Sequence, residues 1–533
     1  MLAENAAETE GRPARVARNT AIFAVATSLS RAVGLAREVI ASSYFGTSGS
    51  FSAFTLAFQV PNLVRSLVAD AALSAAFVPV FVELLTTGRK REAFRLASTM
   101  TLIMLVGLGG LSALFILFAS AIMPLFIGSA FTPALTDLTI GLSQVLFPIL
   151  VMLGINGLLV GILNARDHFA VPAFAPVVWN LVIIGFLVLL RPQLSPSDQI
   201  YAYAIGVLVA TLVQLLMVLP VLPRVGFRFE LAFDWRNPHV RQVFRLMLPV
   251  IVGLGVINID LLINSAVGTL ISEQAPRAID AAFRIYMLPQ GVFSVAVATV
   301  LFPSLGRLVT QRDTDGLRAL QARGTRLILL VLIPAAALMM VLAVPITRLV
   351  FQRGQFDSES TDLVAQALVW FAVSMPFAGI NLLLTRTFFA LRKAWIPTGL
   401  AIGALCLNAA LSFALYKPLG VAGPVIGTAT GSIAMSFGQL WFLRSRLGGV
   451  EARPLLAAVV KMAVASALAA AAAWGFWNLL DQAFGRALWA QLVSVGGGLA
   501  VGLLLYTAVV LALREKDALM AVGRVRAAIA ARR

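Results

Sequence analysis

Ser30-Arg31-Ala32-Val33-Gly34-Leu35-Ala36-Arg37-Glu38 places three charges inside an otherwise apolar run. Charges are costly in hydrocarbon, so these side chains are expected to face water or one another. Arg31 and Glu38 stand seven residues apart and share one helical face, whereas the adjacent Arg37 and Glu38 do not. Gly34 gives the run a place to bend. A second run adds Pro61, Asn62, Arg65 and Asp70, and a later one adds Arg284 with Pro289 beyond it. Guanidinium groups stay charged at any working pH and grip phosphate oxygens in a planar fork. Arg31, Arg37, Arg65 and Arg284 therefore read as an anion site for which a diphosphate is a natural ligand. Glu38, Asn62 and Asp70 complete the candidate substrate-binding set, with too few acids to neutralise four arginines.

A different chemistry is written into Asn258-Ile259-Asp260-Leu261-Leu262-Ile263-Asn264. Asp260 and Asn264 are four apart and share a face. An aspartate inside a membrane span is a functional candidate by default. With Asn408 and Thr428 it makes either an oxygen-rich cation site or a satisfied hydrogen-bond cluster between helices.

The elements that must position these residues follow from composition. The chain has 533 residues, of which 60% are hydrophobic and 12% charged, with a mean hydropathy of +0.92. A soluble fold of this size has no place to hide that much apolar surface. Apolar runs of about 20 residues, the length that spans a bilayer, fall near 20–46, 52–85, 97–125, 135–164, 171–191, 199–222, 246–272, 278–306, 327–351, 361–391, 396–416, 421–443, 456–479 and 487–513. The expected fold is therefore all-α and polytopic, with fourteen transmembrane helices. Residues 1–245 and 246–445 read as two six-helix lobes, and 446–533 as two further helices with a basic tail from Arg514.

The net charge of +17 comes from 41 Lys and Arg against 24 Asp and Glu. The basic residues crowd alternate short loops. About 29 lie in 1–20, 86–95, 164–170, 223–245, 307–326, 392–395, 444–455 and 514–533. The intervening loops hold five: Arg191, Arg277, Arg353, Lys417 and Arg486. That asymmetry places both termini in the cytoplasm and explains the positive charge without nucleic acid. Arg348 and Lys461 lie near span ends and are expected to snorkel to an interface.

Other signals are structural. Gly423, Gly427 and Gly431 repeat every four residues and suit close helix packing. The only cysteine, Cys406, reads as a buried small hydrophobe. His168 and His239 fall in expected loops. No phosphate-binding loop, His-Glu-x-x-His or serine elbow is present, so the chain reads as a transporter rather than an enzyme. Pairs of like motifs in the two lobes hint at an internal repeat: Arg65 with Pro61 and Pro79, then Arg284 with Pro289 and Pro303.

Residues 30–38 resemble the S-R-x-x-G-x-x-R-[DE] motif that opens the MurJ (MviN) family of lipid II flippases, within the multidrug/oligosaccharidyl-lipid/polysaccharide exporter superfamily. Further stretches agree in order and spacing, among them Pro61-Asn62-Leu63-Val64-Arg65, Ala76-Phe77-Val78-Pro79, Leu288-Pro289-Gln290-Gly291-Val292-Phe293 and Phe351-Gln352-Arg353-Gly354-Gln355-Phe356. The resemblance runs from about residue 19 to 445.

It implies two lobes around a cationic cavity, with the last two helices forming a hydrophobic groove. It also implies translocation of undecaprenyl-diphosphate-linked peptidoglycan precursor across the bacterial cytoplasmic membrane by alternating access. The essential arginines fall on Arg31, Arg37, Arg65 and Arg284, and a sodium site on Asn264, Asn408, Ser412, the Pro424 main chain and Thr428. No resident cofactor is implied; sodium or the membrane potential would couple the cycle. Membrane lipids and cell-wall synthesis proteins are the expected partners of a monomer. The chain departs from the pattern at Ser52, at Phe283 and Met287 beside Arg284, and at Asn264 and Ser412, where acids stand in some members. The competing readings are a polysaccharide-lipid flippase or a drug/cation antiporter of the same superfamily. An antiporter for cations would line its cavity with acids rather than arginines.

Overall fold

The computed structural model of the chain describes residues 25–68, 71–166, 168–230, 233–449, 452–515 and 517–520. The described residues are helices joined by turns, and no strand occurs among them. In chain order the helices are α1 (25–45), α2 (Gly49–Val68), α3 (Ala71–Thr86), α4 (Lys90–Ile122), α5 (Pro133–Leu146), α6 (Ile149–Asn164), α7 (Ala170–Leu189), α8 (Tyr201–Val218), α9 (Pro238–Gly268), α10 (Ala275–Thr310), α11 (Thr314–Val341), α12 (Ala343–Phe351), α13 (Ser358–Ala390), α14 (Trp395–Leu419), α15 (Ala422–Leu447), α16 (Ala452–Phe484) and α17 (Leu488–Ala512). An all-helical chain is what hydrocarbon permits, because each helix satisfies its own backbone.

Ten helices among the described residues are long and apolar enough to cross a membrane. Ten of the fourteen expected spans match them. The other four fall on α1, on α2 with α3, on α9 and on α15. Three expected spans are divided. Pro148 separates α5 from α6, since proline has no N–H for the helix ladder. Leu342 separates α11 from α12, and residues 69–70, including Asp70, lie outside the described residues between α2 and α3.

The chain forms two compact units, Met1–Leu262 and Ile263–Arg533. The first unit has two cores. In one, Phe77, Phe81, Met100 and Leu158 pack with Phe147, whose ring stacks on Phe115 at 3.6 Å. In the other, α1, α2, α5, α7 and α8 enclose Phe51, Phe54, Ile183 and Tyr203. In the second unit α10 runs along α13, α14 along α15, and the pair α16–α17 packs on α11. Lipid tails are as apolar as leucine, so packing and interhelical hydrogen bonds hold such helices together.

The α14–α15 contact shows why the three glycines recur. A Cβ on Gly431 would stand 2.8 Å from the Ala404 carbonyl oxygen, and one on Gly423 2.7 Å from that of Leu415. Only hydrogen at these positions lets the two backbones meet.

Some local expectations are corrected. Cys406 is exposed rather than buried. His239 lies in the first turn of α9, not in a loop. Arg277 belongs to the first turn of α10 and is fully buried, not part of an outer loop. Arg348 and Lys461 pair with carboxylates, Asp481 at 3.5 Å and Glu515 at 3.7 Å. The tail does not begin as a purely basic surface helix. Glu515 and Asp517 are buried, and residues 521–533 lie outside the described residues.

Candidate substrate-binding site

α1 carries Arg31 exposed and Arg37 and Glu38 buried. Contrary to expectation, the neighbours Arg37 and Glu38 pair. Arg37 Nη2 donates to Glu38 Oε1 at 2.5 Å. Adjacent positions on a helix lie about 100° apart, and the length of the two side chains closes that angle. The Tyr203 hydroxyl donates to the same oxygen at 3.2 Å. The Arg37 guanidinium lies 5.0 Å from the centre of the Trp179 ring, a cation–π contact that favours a cation away from water. Trp179 is held in turn by its indole N–H on Thr211 Oγ1 at 3.1 Å, and Tyr203 stacks on Phe54 at 4.2 Å. Arg37 and Glu38 are thus keyed into α7 and α8, and through Tyr203 onto α2, while Arg31 stays exposed. Gly34 faces Asn180 of α7.

On α2, Arg65 is half-buried and donates twice to one acceptor. Its Nε and Nη2 reach Asn62 Oδ1 at 3.0 and 2.7 Å. Asn62 thereby fixes the guanidinium without cancelling its charge.

In the second unit the relevant arginine is Arg284. The positions beside it, Phe283 and Met287, carry no charge, but Asp280 one turn earlier does. Arg284 Nε donates to Asp280 Oδ2 at 2.7 Å, and Arg277 Nη1 donates to the same oxygen at 2.7 Å. The Arg284 side chain is 35% exposed and that of Arg277 1%. Phe283 and Tyr286 pack against Phe371 of α13. Arg386, a further charge within a span, lies over the Phe302 ring at 5.6 Å.

The structure brings Asn264, Asn408, Ser412 and Thr428 together. Asn264 Nδ2 donates to Thr428 Oγ1 at 2.8 Å, Asn408 Nδ2 to Asn264 Oδ1 at 3.2 Å, and Ser412 Oγ to Asn408 Oδ1 at 2.9 Å. Each amide oxygen accepts one hydrogen bond from a neighbour in the set, so the four side chains form a connected hydrogen-bond network between helices. Asp260 is half-buried on α9, four residues before Asn264. Among the described residues, no group of three or more His, Cys, Asp or Glu is placed to hold a metal ion.

Sequence reasoning missed Arg277, Asp280, Trp179 and Tyr203. The first two were readable, because Arg277-x-x-Asp280-x-x-x-Arg284 has helical ion-pair spacing. Trp179 and Tyr203 gave no such signal, since aromatic residues in apolar runs are ordinary.

A family model described as "Lipid II flippase MurJ" matches residues 41–493. That range contains Arg65 and Arg284 and begins just after Arg31, Arg37 and Glu38. The lipid II flippase MurJ of Burkholderia cenocepacia is 30% identical over 80% of this chain and 82% of its own length. A probable lipid II flippase MurJ of Rhizobium meliloti is 31% identical over 91% of each chain. Among solved structures, a lipid II flippase MurJ in an inward closed conformation superposes with a TM-score of 0.74 at 21% identity, covering 92% of this chain and 99% of that one. An inward-facing MATE transporter of the MOP superfamily gives 0.68 at 16% identity over 79% of this chain and 94% of its own.

Proposed function

This chain belongs to the lipid II flippase MurJ family, and we propose that it moves undecaprenyl-diphosphate-linked peptidoglycan precursor from the inner to the outer leaflet of the bacterial cytoplasmic membrane. The observation that carries the reading is the family match, which spans most of the chain and includes two half-exposed arginines, Arg65 and Arg284. Arg31 and Arg65 of the first unit and Arg284 of the second each offer a guanidinium able to take phosphate oxygens in a bidentate fork. Arg37, buried against Glu38 and Trp179, chiefly fixes α1.

Translocation proceeds by alternating access, with the polyprenyl tail remaining in lipid. The Lys and Arg bias supports cytoplasmic termini, and the basic loops on that side draw the anionic precursor from the inner leaflet. The protein acts as a monomer alongside cell-wall synthesis proteins. A sodium ion or the membrane potential drives the cycle, and the Asn264–Asn408–Ser412–Thr428 cluster is where sodium would act. The likeness to a MATE transporter concerns fold alone, and exposed arginines do not suit a cation substrate.

The test is complementation and precursor exposure in cells depleted of their own lipid II flippase. Wild type restores exposure, and Arg65→Ala and Arg284→Ala, at equal expression, do not. If the correctly inserted wild type restores none, the substrate is another polyprenyl-linked glycan or a different solute.

A further inference from the structure

We infer that Asp280 is a positioning residue for Arg284, and that the buried Arg277 anchors it. The inference rests on Arg284 holding the diphosphate and adds what holds Arg284.

Three residues on one face of α10 make the device. Arg277 and Arg284 are seven apart, and Asp280 lies three and four residues from them. Both guanidiniums donate to one oxygen, Asp280 Oδ2, at 2.7 Å each. The exposures divide the roles. Arg277 is at 1%, Asp280 at 12% and Arg284 at 35%. Arg277 is therefore out of reach of a ligand, and Arg284 is not.

Charge makes the arrangement useful. A lone carboxylate beside a ligand-binding arginine would cancel the charge that the ligand needs. Here Arg277 answers the carboxylate from the buried side, and the triad keeps a net charge of +1. Arg284 retains its attraction for an anion while its Nε is held. A guanidinium is planar, so holding Nε fixes the plane in which its other donors lie. Ordering the side chain beforehand removes part of the entropy that binding would otherwise cost. The aromatic neighbours Phe283 and Tyr286, packed on Phe371, stiffen the same stretch of α10.

The test uses the full-length protein in detergent, with undecaprenyl diphosphate as probe and thermal unfolding as a control. Arg284→Gln weakens binding by about tenfold, the scale of one charged hydrogen bond. Asp280→Asn weakens it several-fold, and Asp280→Asn added to Arg284→Gln weakens it no further. Asp280→Glu recovers part of the affinity. Because Asp280→Asn removes a charged partner from the buried Arg277 and risks the fold, the Arg277→Met/Asp280→Asn double variant is measured beside it. It keeps the fold and still binds weakly. Wild-type affinity in that double variant, with Arg284→Gln weak, overturns the positioning role. So does a loss from Asp280→Asn that is as large in the Arg284→Gln background as alone. Wild-type affinity in Arg284→Gln overturns the diphosphate reading at Arg284 instead.

Discussion

Arg37 Nη2 donates to Oε1 of Glu38, the next residue in the chain, at 2.5 Å, and both side chains are buried. A buried pair of this kind contributes little net stability but is costly to break from one side. Glu38→Gln leaves the Arg37 guanidinium facing a neutral amide and the Trp179 ring in place of a carboxylate. It is expected to destabilise the protein by about 3–5 kcal/mol, read as earlier thermal unfolding in detergent. Arg37→Met combined with Glu38→Gln recovers most of that loss. Equal destabilisation in the single and double variants would mean that Arg37 is not the partner that matters.

Asn62 and Arg65 behave differently. The amide orients the guanidinium through two hydrogen bonds and takes none of its charge. Asn62→Ala removes the two bonds that orient this guanidinium, and precursor exposure falls several-fold. Asn62→Asp keeps the geometry but pairs the charge, and its effect is larger. Equal activity of the two variants in the complementation assay would show that the charge of Arg65 does not matter.

Much of this was legible beforehand and some was not. Long apolar runs and the loop asymmetry gave an all-helical chain because a bilayer leaves few alternatives. The glycines at 423, 427 and 431 announced a close helix contact, which the α14–α15 backbone approach bears out. Side-chain pairing was less readable. Helical wheel geometry joins Arg31 to Glu38, but the wheel places Cβ atoms, not the tips of long side chains, and Glu38 turned to Arg37. The helix breaks at Pro148 and Leu342 vanished into continuous hydropathy. Asp280, the partner of Arg284, lies at i−4, a spacing that a helix pairs readily, but it drew no notice beside the family positions Phe283 and Met287.

The oxygen cluster of the second unit separates two mechanisms by experiment. As a hydrogen-bond network, it makes replacing sodium by potassium of no consequence, and precursor exposure stays within about twofold. Gly427→Ala forces a methyl group onto Asn408 and Ser412, and unfolding shifts to lower temperature in either salt. A sodium-specific rise in thermal stability that Asn408→Ala abolishes would favour the cation site.

Asp357 caps α13 by accepting the Ser360 backbone N–H at 2.8 Å. That bond lowers its pKa from the ordinary carboxylate value. A depressed folded-state pKa means that the carboxylate's contribution is present above the unfolded value of about 4 and is lost as pH falls through the folded one. Asp357→Ala therefore costs about 1 kcal/mol near neutral pH, and the gap to wild type closes in acid. Unfolding temperatures across that pH range test the sign, and a gap that widens in acid contradicts it.

Asp517 is the clearest handle on the carboxy-terminal segment. It is 2% exposed and accepts from Arg326 Nε of α11 at 2.7 Å, while the nearby Glu515 lies 3.7 Å from Lys461 of α16. Tyr506 adds a third tie, its hydroxyl donating to the Leu330 carbonyl at 2.7 Å. Two of these ties are charged, and both use acids in a stretch that basic composition alone would leave on the membrane surface. Asp517→Asn removes the charge from the shorter pair and leaves Arg326 half-satisfied. Tryptic cleavage after the exposed Arg514 then quickens by about tenfold, because cutting a transiently opened segment follows the population of the open form. Arg326→Gln gives the same acceleration if the pair is what holds the segment. Unchanged cleavage in both variants would place the hold in the apolar contacts of Tyr506, Val510 and Ala518 with Ala465 and Ala469.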